Sequence, residues 1–320
     1  LDWNAGAESS AEAEPTLQIS GKDIAIDGRA LARQLSMRLG LSDNVVEIER
    51  VHGSLAGGSV RANGSWSLGT GERRVQVSLA EIDVAKALLP ISRSLASRVD
   101  GKISGVLQAT LGDRLRFRGA VNARKSSFFA IPTGTVHSGI HGSLARDLRH
   151  WEVNLPSLQG TVGGGRIAGS ARLSSSAIRS GAFDLSSRWD ARRVDFGELL
   201  ASVGSSTSVA HGRMTGEMSL GGRGIRSVSD LAGRFHARLG ATQSAAVPGL
   251  VKADQFLGVL TLQGLQFDEG SIDGVIGAGA ATIDEFTLSS PRVRVWSDGK
   301  IYLASQRMDL DVIISTSNFG

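Results

Sequence analysis

One phrase occurs more than once in this chain, and the repetition constrains the fold more than any single residue does. The first copy opens at Gly53 with GSLAGGSVRANGSWSL and continues as RRVQVSLAEIDVAKALL; the second opens at Gly160 with GTVGGGRIAGSARLSS and continues as GAFDLSSRWDARRVDFGELL. In both, a Gly-Gly pair leads into an alternating run, and the unit closes on an acidic residue and a Leu-Leu pair: Asp83 with Leu88 and Leu89, then Asp195 with Leu199 and Leu200. A unit this short cannot bury its own apolar face, so neighbouring units must stack. The 320 residues therefore read as an array whose core grows by addition.

Period-2 alternation dominates the rest. Val75, Val77 and Leu79 alternate with Gln76 and Ser78; Leu115, Phe117 and Val121 with Arg114, Arg116 and Arg118; Trp151, Val153 and Leu155 with Glu152 and Asn154; Met308, Leu310, Val312 and Ile314 with Asp309 and Asp311. Each run predicts a strand with one dry face and one wet face. Aromatics make up only 5% of the chain, so the dry faces are aliphatic, and 41 glycines against 6 prolines suit many close turns.

Helical spacing predicts short helices over 29–39 (Leu31, Leu35, Leu39), 82–98 interrupted at Pro90, 227–239 (Val228, Leu231, Phe235) and 247–260 behind Pro248. Four such helices cannot cover more than a dozen one-faced strands. The sheet then covers itself as a sandwich or barrel, closes as a solenoid, or stays a long curved sheet with its apolar face partly open. An open face of that length exceeds what a soluble monomer normally exposes and calls for a ligand or partner.

Catalytic and metal chemistry find little support. His137 and His141 are the only close histidine pair, and on a strand a separation of four places the side chains roughly 13 Å apart, too far for one metal ion. Glycine runs at Gly221 and Gly274 fit neither G-x-G-x-x-G nor the Walker pattern, and read as turn and strand glycines. No G-x-S-x-G or HExxH motif occurs; no enzyme, cofactor or metal is expected. Asn63-Gly64-Ser65 matches a glycosylation acceptor but reads as a turn. With 35 basic and 31 acidic residues spread along the chain, a net charge of +4 points away from nucleic acid. The RLRFR run at 114–118 is a phosphate or lipid-headgroup patch or, more simply, the wet face of a strand. Cysteine is absent, which fits an oxidising envelope compartment.

In the C-terminal third, LGGRGIRSVSDLAGRFHARL from Leu220, followed by the stretch from Val247 through FDEGSIDGVIGAGAATIDEF to MDLDVIIS, resembles the C-terminal region of the AsmA-like superfamily of bacterial envelope proteins, the AsmA, TamB and YhdP type. The likeness rests on an L-x-G step (Leu231, Gly233), a helix near a proline (Pro248, Leu250, Leu257), a strand opened by Phe267, Gly299 before Ile301 and Leu303, and a final acidic-leucine strand (Asp309, Leu310, Asp311). The resemblance implies a mainly β fold: an elongated, twisted, antiparallel repeating β-groove, taco-like, with a few short capping helices. It further implies conduction of phospholipid acyl chains between inner and outer membranes.

The expected organisation is a linker over 1–16, repeated groove units over 17–220 and the AsmA-like region over 221–320. Candidate groove-lining residues are Val75, Val77, Leu79, Leu115, Phe117, Ile167, Phe183, Leu185, Met308, Leu310, Val312 and Ile314. Expected partners are phospholipid acyl chains and inner- or outer-membrane proteins. The expected location is the periplasm, with an inner-membrane anchor outside this chain, which begins at Leu1 and reads as a processed or partial form. The alternative is a scaffold protein of outer-membrane biogenesis or protein assembly whose sheet carries no lipid.

Overall fold

The computed structural model describes residues 4–8, 16–26, 29–42, 44–71, 73–89, 93–128, 131–147, 149–175, 182–195, 198, 212–243, 266–303, 305 and 307–316. Among them the chain is mainly antiparallel strand. In order come β1 (Asn4–Glu8), β2 (Thr16–Ile26), β3 (Arg29–Ser42), β4 (Val45–Leu55), β5 (Gly58–Ser67) and β6 (Arg73–Asp83). Two short helices follow, α1 (Val84–Leu88) and α2 (Arg93–Ala96), then β7 (Val99–Leu111), β8 (Arg114–Phe128), β9 (Ile131–Thr133), β10 (Val136–Ala145), β11 (Trp151–Val162) and β12 (Gly165–Ser175). The last strands are β13 (Phe183–Asp195), β14 (Arg213–Ile225), β15 (Ala232–Gln243), β16 (Gln266–Gly277), β17 (Ala280–Ser289), β18 (Val293–Tyr302) and β19 (Met308–Thr316).

By contact the chain divides into two compact units. The first comprises Leu1–Phe128, Thr135–Ser157 and Arg172–Phe183; the second comprises Phe129–Gly134, Leu158–Ala171 and Asp184–Gly320. The sequence boundary at 221 falls inside β14, within the second unit. In the first unit each of β1 to β7 pairs antiparallel with the next strand, and β8 pairs with β10. In the second, β14 to β19 form an uninterrupted antiparallel meander.

Several expectations change. Residues 29–39 form β3, not a helix. Leu31, Leu35 and Leu39 lie four apart, a spacing that shares one face of a helix and equally one face of a strand, and Met37 and Leu41 fill the alternate positions a strand needs. The predicted helix over 227–239 shrinks to one 3₁₀ turn at Val228–Asp230, after which Phe235, Ala237 and Leu239 alternate with Arg234, His236 and Arg238 along β15. The helix expected over 247–260 lies outside the described residues. Over 82–98 the two-piece helix forms on either side of Pro90, as α1 and α2. Asn63–Ser65 runs through the middle of β5 rather than a turn, and β1 lies within the stretch expected to be a linker.

The repeated phrase is a repeated structure at its start and its acidic end: both lie in the first unit for the first copy and in the second unit for the second. Its Gly-rich start is a two-residue hairpin turn with both φ positive, at Ala56–Gly57 (46°, 82°) and Gly163–Gly164 (49°, 63°), matching the twist of the strands it joins. Its end is a left-handed residue and an acidic clasp, the former lying in a bulge between Leu79 and Ile82 in the first copy. Glu81 and Arg193 both take positive φ, 55° and 56°. This costs a non-glycine residue on the order of 1 kcal/mol, offset where the Glu81 N–H donates to Ser104 Oγ (3.0 Å) and the Arg193 N–H to Thr215 Oγ1 (3.2 Å). The next residue, Ile82 or Val194, is 2% or 1% exposed. Then Asp83 and Asp195 each clasp their hairpin turn, the Asp83 N–H donating to Ala56 O (3.2 Å) and the Asp195 N–H to Gly163 O (2.8 Å). Both carboxylates accept from the N–H three residues on, Lys86 at 3.0 Å and Glu198 at 3.1 Å.

Asp83 thus caps α1, and the Lys86 N–H, with its side-chain ammonium 3.1 Å away, holds the carboxyl below its ordinary range. A group with a lowered folded-state pKa stabilises above its unfolded value, about 3.9, and loses that contribution as pH falls through the folded value. Asp83→Asn should therefore flatten the acid limb of a thermal-unfolding profile, and Asp83→Ala should lower stability by about 1 kcal/mol at pH 7. Wild-type and variant profiles that coincide from pH 7 down to pH 3 would show that the cap contributes nothing.

Candidate functional site

Strand alternation and pairing register sort the first unit's side chains into two faces. One face carries rows that run across the strands. The central row is Ile19, Met37, Val51, Ala62, Val77, Leu107, Gly119 and Ile140, one residue from each of β2 to β8 and then β10. On one side of it lies Leu39–Ile48–Gly64–Val75–Ala109–Phe117–Gly142, and on the other Leu35–Gly53–Val60–Leu79–Gly105–Val121. At about 4.8 Å per strand, the central row spans about 34 Å.

Glycines in these rows make room for large neighbours. A Cβ on Gly142 would stand 2.7 Å from Phe117 Cζ, and one on Gly105 would stand 3.0 Å from Val121 Cγ1. The second unit repeats the device, since a Cβ on Gly274 would lie 2.5 Å from the Phe235 ring. Rows of alternating large and small residues give a face that is apolar and low in relief.

What distinguishes the two units is how far that face is filled. In the first, Val75, Val77, Leu79, Leu107, Leu115 and Phe117 are all half-buried. Full burial is confined mainly to Ile82, Leu95 and Ala96 at the α1–α2 end, Ala109 in a row, and Trp151 and Phe183. In the second, Leu239, Phe267, Ile283, Phe286, Leu288, Val293 and Val295 form a buried cluster, with Phe267 and Val295 at 0% exposure. Met214, Phe235, Ile272, Ile301, Leu310, Val312 and Ile314 pack around it.

The sequence-predicted lining residues divide accordingly. Val75, Val77, Leu79, Leu115 and Phe117 come together on the half-open face. Leu310, Val312 and Ile314 lie on β19 against the buried cluster, and Met308 pairs with Ile301, its side chain lying outside the described ones. Ile167 is half-buried on β12. Phe183 and Leu185 are 0% and 5% exposed, so they are core residues with little surface to offer a ligand. Sequence reading passed over the central row's Met37, Ala62, Leu107 and Ile140. Met37 lay in the misassigned helix, and Ala62 and Ile140 sit among glycines and serines that dilute the alternation.

The opposite face is polar. His137 and His141 lie on it, exposed, four residues apart on β10, and the His137 ring bonds Asn122 across to β8. In the second unit His236 Nδ1 stands 2.6 Å from Asp273 Oδ1, both side chains about half exposed, a surface hydrogen bond between neighbouring strands. No helix among the described residues is long and apolar enough to cross a membrane. No family model, no curated protein and no solved structure matches the chain.

Proposed function

We propose that this chain is a lipid-binding or lipid-transfer segment of a bacterial envelope protein, and that acyl chains lie along the half-open apolar face of the first unit. The observation that carries this reading is the central row: eight consecutively paired strands, seven of which contribute a half-buried apolar side chain and one Gly119, with the helices among the described residues packed at one end. At ~25 cal/mol per Å² of apolar surface, many weak contacts hold a chain without a pocket. Interchangeable aliphatics oppose sliding weakly. The resemblance of the C-terminal third to AsmA-like proteins supports the same reading.

A second reading, a scaffold that carries no lipid, is favoured by one observation alone: the same kind of face in the second unit is filled. Mass spectrometry of lipids that copurify with the protein separates the two. Lipid transfer predicts phospholipid in near-stoichiometric amounts, reduced by carboxylates placed at Val77 and Leu107; a scaffold predicts essentially none.

A further inference from the structure

The RLRFR run has a setting that the lipid reading leaves unused. A cleft of about 1010 Å³ opens on the polar face of the first unit, crossing β5, β6, β7, β8, β10 and β11. By alternation its walls are the wet-face side chains, while backbone at Val75, Ala109 and Phe117 forms the floor. Arg74, Arg116 and Arg118 line it with a single carboxylate, Glu152. That carboxylate is already engaged, by Arg172 at 3.0 Å and the Asn154 amide at 2.8 Å. The cleft is therefore cationic. By contrast, the smaller cleft of the second unit, about 690 Å³, sets Asp190, Glu217, Asp273 and Asp284 against Arg188 and Arg234.

Register arranges the first cleft's groups in two parallel rows. Asn63, Gln76, Gln108 and Arg118 form one; Ser65, Arg74, Thr110 and Arg116 form the other. Each row advances about 4.8 Å per strand, close to the length of one pyranose unit. Arg74 and Arg116 stand two strands apart, so about 10 Å separates their backbones. Guanidinium groups take carboxylate or phosphate, and amides and hydroxyls both donate to and accept from sugar hydroxyls. His141 is the single aromatic ring among the wall side chains, too few to stack successive bases, which disfavours single-stranded nucleic acid.

We infer that this cleft binds an acidic oligosaccharide lying across the strands, its anionic groups on Arg74, Arg116 and Arg118 and its hydroxyls on the amide row. The cleft lies on the opposite face from the apolar rows, so an acyl chain held on those rows does not reach it, and the two proposals fail independently.

The test is fluorescence anisotropy on the full chain with an end-labelled hexagalacturonate as probe. Maltohexaose, polyphosphate, an oligodeoxynucleotide and phosphatidylglycerol vesicles serve as competitors. The expected result is saturable binding, weakened about tenfold or more in Arg116→Ala/Arg118→Ala and several-fold in Asn63→Ala/Gln76→Ala, with Arg61→Ala, outside the cleft, unchanged and all variants matching the wild type by circular dichroism. Three results would overturn the proposal: no binding; competition by polyphosphate or oligonucleotide equal to that of unlabelled hexagalacturonate, with the amide variants silent; or binding to vesicles in place of the oligosaccharide. Should the arginine pair fail to fold, Arg116→Gln and the amide variant carry the same test.

Discussion

Phe267→Ala should destabilise the protein by about 3–5 kcal/mol, the range for emptying a fully buried aromatic site. Phe267 opens β16 at 0% exposure and belongs to the cluster with Leu239, Leu288 and Val295, which register places in one row through Gly270: Leu239–Gly270–Leu288–Val295. Gly270 cannot relax to fill the gap, because strand hydrogen bonds hold the backbone on both sides; a Cβ there would already stand 2.6 Å from Leu288 Cδ2. The cost therefore lies at the cavity end of the range. Phe117→Ala should cost much less, since Phe117 is only half-buried and the space it leaves opens to water or ligand. Thermal unfolding of the two variants measures the contrast directly. Equal losses would mean that the first unit's face is as closed as the second unit's core.

Placing carboxylates at Val77 and Leu107 should remove most bound lipid. The two residues are direct cross-strand partners on β6 and β7, at the middle of the central row. Excluding about four methylenes from that position, at ~0.8 kcal/mol each, loses ~3 kcal/mol, on the order of a hundredfold in affinity. Both side chains are half-buried, so the new carboxylates keep water when no chain is bound. The matched control is Ser78→Asp with Val106→Asp, the pair one position along in the same register and on the opposite face. It adds the same charge to the same strands, and copurified lipid should remain. Leu185→Asp would be uninformative, because a residue 5% exposed cannot be charged without disrupting the fold.

Much of this fold was legible in the sequence because a strand with one dry face writes its period directly. The runs at Val75–Leu79, Leu115–Val121 and Trp151–Leu155 became β6, β8 and β11 with their apolar residues on one side. The repeat was legible too, as its Gly-Gly start and acidic end mark the hairpin turn and the capped clasp. The left-handed residues Glu81 and Arg193 were not, since positive φ there falls on ordinary residues and is held by hydroxyls of Ser104 and Thr215 from the next paired strand. Nor was the difference in filling between the two units. Leu79 and Leu288 look alike in their local patterns, and only the packing of Phe267, Phe286 and Val295 makes one half-open and the other closed. Helical spacing misled at Leu31, Leu35 and Leu39 because four residues is an even number and fits both periods.

Acyl chains on the first unit's apolar face are the central claim, and a photo-reactive amino acid tests it most directly when placed at Val77 and, separately, at its neighbour Gln76. Consecutive residues on β6 point to opposite faces of the sheet, so the two probes share strand, depth and backbone and differ only in side. In cells, crosslinking to phospholipid at position 77 with little at position 76 is the predicted result. Equal labelling at both positions, or none at 77 in a folded protein, would contradict it.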